Sequence, residues 1–210
     1  MSGHPEAAPD VDEPEGAFTF DDLLADQQDE RRWKAFHEGG HIAVAWAIGA
    51  YPISADIIDK PPRGGLAVYL LGNDGHCCSV GDVTICFAGP AAAKRHAPRR
   101  RDGGDSDREN IARHLAALCR TQDVAAIVSD HCEREAKRLV DENWDAVEAI
   151  AAALLEREAL TDLDIADVLA PVRAAREDAE HRRQRRAWAA TLSSPLHPSI
   201  TIVERTYDVR

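Results

Sequence analysis

The chain has 210 residues, 37 acidic against 25 basic, giving a formal net charge of −12 at neutral pH, with 44% hydrophobic but only 5% aromatic residues. This length allows one domain of about 150 residues with a proper core, plus tails, and the alanine-rich, aromatic-poor composition favours a mostly α fold with a small β-hairpin or sheet. The negative charge argues against general affinity for nucleic acid, and no apolar run approaches the ~20 residues needed to span a bilayer.

Residues 1–19 contain Pro5, Pro9, Pro14 and five acids among few large apolar side chains, and read as a disordered acidic tail. The segment carries the features of neither a signal peptide nor a transit peptide, so a cytoplasmic location is expected by elimination. A folded domain is expected over residues 20–171, followed by a charged helical and extended tail over 172–210.

Helix is expected from about Asp21-Asp22 into the segment Trp33 to Ile48, with room for a break on the way and a stop at Gly49. Within it stands His37-Glu38-Gly39-Gly40-His41. On a helix, positions i and i+4 share a face, so His37 and His41 can address one metal ion. Glu38 lies beside the first of them, where its carboxylate can reach a metal-activated water without being a ligand. Chance supplies such a pattern in a chain of this length and composition about 3% of the time.

Two short apolar runs follow, Ile53 to Ile58 and Leu66 to Leu71, separated by the turn signal Lys60-Pro61-Pro62-Arg63-Gly64-Gly65. After a second turn at Gly72-Asn73-Asp74-Gly75, Val80 to Ala93 reads as a helix. Lys94 to Arg101 reads as a basic loop. Ser106 and Glu109 have the form of a capping box opening a helix to about Arg120. Helices are expected over Asp123 to Glu142 and Trp144 to Glu158. The phrase Leu160-Thr161-Asp162-Leu163-Asp164 caps a short helix, Ile165 to Leu169, and residues 172–190 form a charged helical tail.

The five cysteines, Cys77, Cys78, Cys86, Cys119 and Cys132, include no Cys-x-x-Cys pair and are expected to be reduced. A catalytic zinc takes three protein ligands and keeps a fourth position open. Position in the sequence leaves Asp56, Asp59, Asp74, His76, His96, Asp102, Asp105, Asp107, His114 and several later acids all as candidates for the third. The extended pattern that adds a downstream Gly and His fails at Val44 and Ala47.

The segment Ala35 to His41, the loop Gly103-Gly104-Asp105-Ser106-Asp107-Arg108 and the connecting helix Val83 to Ala92 together resemble the peptidase domain of FtsH-type zinc proteases. The downstream segments Leu139 to Trp144 and Ala152 to Leu160 are similar to its C-terminal helices. The resemblance covers about residues 30–170 and implies a zinc metalloendopeptidase with His37, His41 and Asp107 as ligands and Glu38 as the base. Asp105 is then the reserve ligand, or an acceptor for a ligating histidine. Gly89-Pro90-Ala91-Ala92-Ala93 departs from the family's usual Gly-Arg-Ala-Ala-Glu. The family's ATPase domain and membrane anchor have no counterpart here, and none of Lys34, Lys60, Lys94 and Lys137 fits a phosphate-binding loop.

The expected substrate is therefore an unfolded or flexible polypeptide, met directly or fed by a separate ATPase, and self-association is a further possibility for partners. The alternative is a non-catalytic zinc-binding adaptor that retains the fold.

Overall fold

The computed structural model describes residues 20–58, 65–71, 79–100 and 105–192. The expected tails over 1–19 and 193–210, both glycine-containing turns after β-like runs, and the cluster His76-Cys77-Cys78 lie outside them, apart from Gly65.

Six helices and three short strands make up the described chain: α1 (Phe20–Ala47), β1 (Tyr51–Asp56), β2 (Leu66–Leu70), α2 (Val80–His96), α3 (Asp105–Leu118), α4 (Gln122–Glu142), α5 (Trp144–Arg157), β3 (Ala159–Thr161) and α6 (Asp162–Leu192). The mostly helical class and the β1–β2 hairpin expected from the sequence are both present. No helix among the described residues is long and apolar enough to cross a membrane.

Helix α1 is the axis of the fold. It runs without the break that the sequence allowed, and it changes character along its length. Residues 24–32 are exposed, whereas Ala35 and residues 37–45 are all buried. A helix enclosed on every side must offer short side chains wherever another backbone approaches. Gly39 and Gly40 do this: a Cβ on Gly39 would lie 3.1 Å from the Val147 carbonyl of α5, and one on Gly40 would lie 2.6 Å from both the Ala88 carbonyl and the Ala92 Cβ of α2. The core continues through Ile42, Val44, Ile85, Val147, Ile150 and Leu154, all at 0% exposure.

The sheet is antiparallel, in the order β2-β1-β3. The three-residue β3 was not foreseen. Leu160, at 2% exposure, pairs with Ala55, and Ile57 N–H donates to the Glu158 carbonyl. The turn into β3 puts Glu158 at φ 65°, which lets its N–H cap α5 by donating to the Leu154 carbonyl. Arg31 of α1 reaches the same helix end, donating to the Leu155 carbonyl at 3.1 Å and pairing with Glu158 at 2.9 Å.

Other differences concern helix ends. Lys94, Arg95 and His96 belong to the last turn of α2 rather than to a loop, and Arg95 is held there by Asp141 and the Trp144 ring, 4.1 Å from its guanidinium carbon. A capping box that the sequence reading passed over opens α2: Ser79 Oγ accepts from Asp82 N–H at 3.2 Å, while Asp82 Oδ2 accepts from Ser79 N–H at 2.7 Å. Helix α3 starts at Asp105, so Ser106 sits in its first turn. Thr161 and Asp164 make the expected reciprocal cap on α6, but that helix does not stop at Leu169; it runs through Pro171 to Leu192. Contacts on either side outweigh the backbone bond that proline removes. Leu169 is 2% exposed, and Arg176 donates to Asn143 Oδ1 at 2.6 Å, pairs with Asp145 and lies 5.2 Å from the Trp46 ring.

The α1–α2 contact leads to a first prediction. Gly40→Ala gains about 1 kcal/mol of helix propensity but forces two helices apart, an overpacking cost of about 1–3 kcal/mol. The net outcome is a lower midpoint of chemical unfolding, whereas Gly49→Ala, open in space but at φ 83°, loses stability through backbone strain alone.

Candidate metal centre

Because α1 is regular through residues 37–41, the two imidazoles stack one turn apart, with Nε2 atoms 3.2 Å from each other. Helix α3 brings Asp107 to the same point. His37 Nε2 is 2.8 Å from Asp107 Oδ2, and His41 Nε2 is 3.4 Å from Oδ1. All three residues are buried, at 6%, 7% and 7% exposure. Among the described residues they form the one cluster of His, Cys, Asp or Glu side chains able to hold a metal ion.

The donor geometry fits a cation. In a tetrahedral site with bonds of ~2.0–2.1 Å, adjacent ligand atoms stand ~3.3 Å apart, and the three separations here bracket that figure. The His37–Asp107 approach is within ion-pair distance, yet Asp107 Oδ2 has no aligned hydrogen-bond donor among the described residues. The two atoms converge on a shared point rather than on each other. The geometry of that misalignment outweighs the short distance, which alone would suggest an ordinary salt bridge.

Two features orient the second imidazole. The Ile85 carbonyl of α2 accepts from His41 Nδ1 at 2.7 Å, which assigns the proton to Nδ1 and leaves the Nε2 lone pair for a metal. Gly89, one turn further along α2, leaves room for the ring: a Cβ there would lie 2.2 Å from His41 Nε2. Pro90 follows immediately, so α2 combines a glycine and a proline in the turn beneath the site. The Trp33 ring lies 5.0 Å from that of His37.

Charge in the site is strongly coupled. Burial opposes protonation of His37 and holds its pKa below the usual value. Burial acts the same way on His41, but the Asp107 hydrogen bond and the charges of Asp107 and Glu38 outweigh it, and its pKa is raised. Burial likewise opposes ionisation of Asp107, but the two imidazoles beside it hold its carboxyl far below the usual range. The metal-free cluster thus traps a proton that a divalent cation would replace.

Glu38, 7% exposed, lies in the same cleft but outside the triad. Burial pushes its pKa up to about 7 in the metal-free chain, with Asp107 and Asp56 adding to the rise against the opposing pull of His41. Its carboxylate rests against the start of β2, where a Cβ on Gly65 would stand 2.6 Å from Glu38 Oε1.

The cleft has a volume of about 630 Å³, and its far walls are β2, through Gly65, Leu66, Ala67 and Tyr69, and α3, through Asp105, Glu109, Asn110, Arg113 and His114. Cys86 of α2 closes the floor beside Tyr69, and burial pushes its thiol pKa up to about 12.

Of the candidate third ligands among the described residues, the fold brings Asp107 alone to the two histidines. The Asp105 side chain is 92% exposed and pairs with Arg108 at 2.6 Å, so it accepts from neither histidine, contrary to the reserve role expected for it. His96 stacks on Phe36 at 3.7 Å, away from the triad. His114 lines the cleft, and its buried Nδ1 has no hydrogen-bond partner among the described residues. Asp59, Asp74, His76 and Asp102 lie outside the described residues. Cys86, Cys119 and Cys132 are all free thiols. The roles of Ile85, Gly89 and Gly65 were not anticipated. For Gly89 a signal existed, since a glycine inside a buried helix marks a close approach.

No protein-family model matches this chain, and no curated protein sequence matches it either.

Two outcomes test the ligand geometry. Asp107→Ala should weaken metal binding severely while Asp105→Ala leaves it nearly unchanged, as read by equilibrium dialysis. Gly89→Ala, which touches no donor atom covalently, should still cost at least about 10- to 100-fold in affinity by displacing the His41 ring. Calorimetry in buffers of different ionisation enthalpy should further show about one proton released per metal bound near pH 7.

Proposed function

We propose that this chain is a zinc-dependent metalloendopeptidase of the FtsH peptidase type, hydrolysing peptide bonds in unfolded or flexible polypeptide segments. The observation that carries this reading is the placement of Glu38. It is a buried carboxylate in the cleft of a three-donor cluster, adjacent in sequence to one donor and excluded from the set. A purely structural metal site has no use for such a group, and a buried carboxylate is costly to keep.

Two imidazoles and one carboxylate with an open position are the donor set of a catalytic zinc. When bound, zinc supplies Lewis acidity, polarising a carbonyl and lowering the pKa of water to roughly 7. His37, His41 and Asp107 would hold it, with the Ile85 carbonyl keeping His41 in the tautomer that ligation requires. Glu38 takes the proton from the attacking water on its carboxylate and passes it to the leaving amine. Its elevated pKa in the metal-free chain suits a group that must both accept and return a proton, and a nearby cation would lower that pKa towards the ordinary carboxylate range.

Substrate form follows from the walls. Strand β2 is an outer strand of the sheet and lines the cleft, so an extended segment could add to its edge by backbone hydrogen bonds. A stably folded domain seldom exposes such a segment, because freeing one costs up to the global unfolding energy of about 5–15 kcal/mol.

Glu38→Gln should retain stoichiometric zinc and lose cleavage of an unfolded protein by several orders of magnitude; loss of zinc along with activity would make Glu38 a ligand and overturn the assignment. Gly65→Ala should also keep the metal, yet lower kcat by up to about 100-fold by shifting the Glu38 carboxylate. Chelation should abolish activity and zinc restore it, while ATP leaves the rate of this chain unchanged and folded substrates stay intact.

A further inference from the structure

The net charge of this chain is not spread over it. Residues 1–30 carry ten acids and no lysine or arginine, so they hold all but two of the twelve net negative charges. The opposite bias falls at the other end, where residues 173–186 carry six arginines against three acids.

Among the described residues, part of each segment stands clear of the core. Residues 24–32 of α1 are exposed, and Asp26 and Asp29 have no ion-pair partner among the described residues; Glu30 is engaged by Lys34 at 3.1 Å and by Arg100 at 3.8 Å. In α6, the side chains from Arg182 to Ala190 are all exposed, with Trp188 at 66%. Arg183 pairs with Glu180 at 2.8 Å, whereas Arg182, Arg185 and Arg186 have no carboxylate partner among the described residues.

The spacing makes each segment a stripe. Arg182, Arg185 and Arg186 fall at i, i+3 and i+4, on one helix face. Asp26 and Asp29 are three apart, and Asp22 stands four before Asp26 in the same helix. The arginine stripe spans about 6 Å and the acidic one about 10 Å at 1.5 Å per residue. Two such helices can lie side by side with opposite charges facing.

Among the described residues the two stripes do not meet within one chain. Helix α6 packs on α5, β1 and β3, and touches α1 through Arg173 and Arg176 at Trp46, near the end of α1 remote from its acids. The acids from Asp26 onward ride on a helix whose following turns are locked in the core, so they cannot swing round to their own α6.

We infer that the arginine stripe of α6 docks the acidic first turns of α1 from a second copy of this chain, so that the protein self-associates through exchanged, oppositely charged helices. The partner is a second copy because the chain itself carries a complementary surface, rigidly presented and out of its own reach. Closure depends on symmetry: a reciprocal pair makes a dimer, and a head-to-tail arrangement makes a longer assembly. Each stripe also sits at the helix end whose dipole favours its charge, but that benefit would act inside one copy and move only its thermal stability.

The test is sedimentation equilibrium of the full chain with charge swaps along the two stripes. The wild type should exceed its 23.0 kDa monomer mass at low ionic strength and return to it near ~1 M salt, where the screening length falls to about 3 Å. Reversing the arginines (R182E, R185E, R186E) or the acids (D22K, D26K, D29K) should each weaken association at least about tenfold, and placing both sets in one chain should restore it. Circular dichroism of each variant checks that the helices persist. A wild type that is monomeric at low salt overturns the proposal, including the case in which the acidic tail folds back on its own α6. Association that survives either single reversal, or that the double reversal fails to restore, overturns it as well.

Discussion

The structure depends on how closely other backbones can approach one turn of α1. In His37-Glu38-Gly39-Gly40-His41 every direction around the helix is already assigned. His37, Glu38 and His41 face the cleft; Gly39 meets the backbone of α5; Gly40 meets that of α2. Successive helical residues are 100° apart, so a five-residue stretch covers the whole circumference once. Two glycines in a helix interior would each cost about 1 kcal/mol in isolation. Here Gly39 admits α5, and Gly40 lets α2 come near enough for the Ile85 carbonyl to reach His41. Packing and ligand orientation are therefore one constraint, and Gly89 is its counterpart on α2.

The third donor is held by different means. On α3 only Asp107 and Ile111 are buried, four residues apart and so on one face. Ile111 joins Val83, Cys86 and Cys132 in a small second cluster, separate from the main core. Two ligands thus ride on the enclosed turns of α1 and the third on a helix with only two buried residues. A cation bridging them would tie α3 to α1, and binding energy would appear as stability of α3 and the cleft wall it forms.

What the sequence made legible followed from periodicity and local chemistry. The i, i+4 histidines, the hairpin, the helical segments and the Thr161–Asp164 cap all rest on spacings of four residues or fewer. Asp107 is a different case, because nine named carboxylates and histidines downstream of the motif, and several later acids, were open by spacing, and a family resemblance singled it out. The fold then placed it, not Asp105 two residues before, against the histidines. The difference is helix phase, since two residues along α3 turn a side chain by about 200°, from the exposed rim of the cleft to the buried triad. Features that escaped attention depend on contacts between distant segments. The three residues of β3 pair only because α5 ends at Glu158, and Pro171 fails to end α6 because Leu169 and Arg176 anchor both sides of it. The room that Gly65 leaves for Glu38 exists only once the hairpin lies across α1.

The cleft concentrates acids in a protein that is already strongly acidic, and this is informative about what it lacks when empty. Glu38 and Asp107 are buried close together, with Asp56 and Asp82 near enough to influence the titrating groups around them. Without a cation, the cluster keeps a proton on His41 and drives Glu38 towards its neutral form. Both responses reduce the cost of buried charge. Adding a divalent cation removes the reason for each, freeing the His41 lone pair and favouring an ionised Glu38. The same ion would therefore complete the ligand set and put the base into its working state, so a metal-free cleft would be deficient on both counts at once.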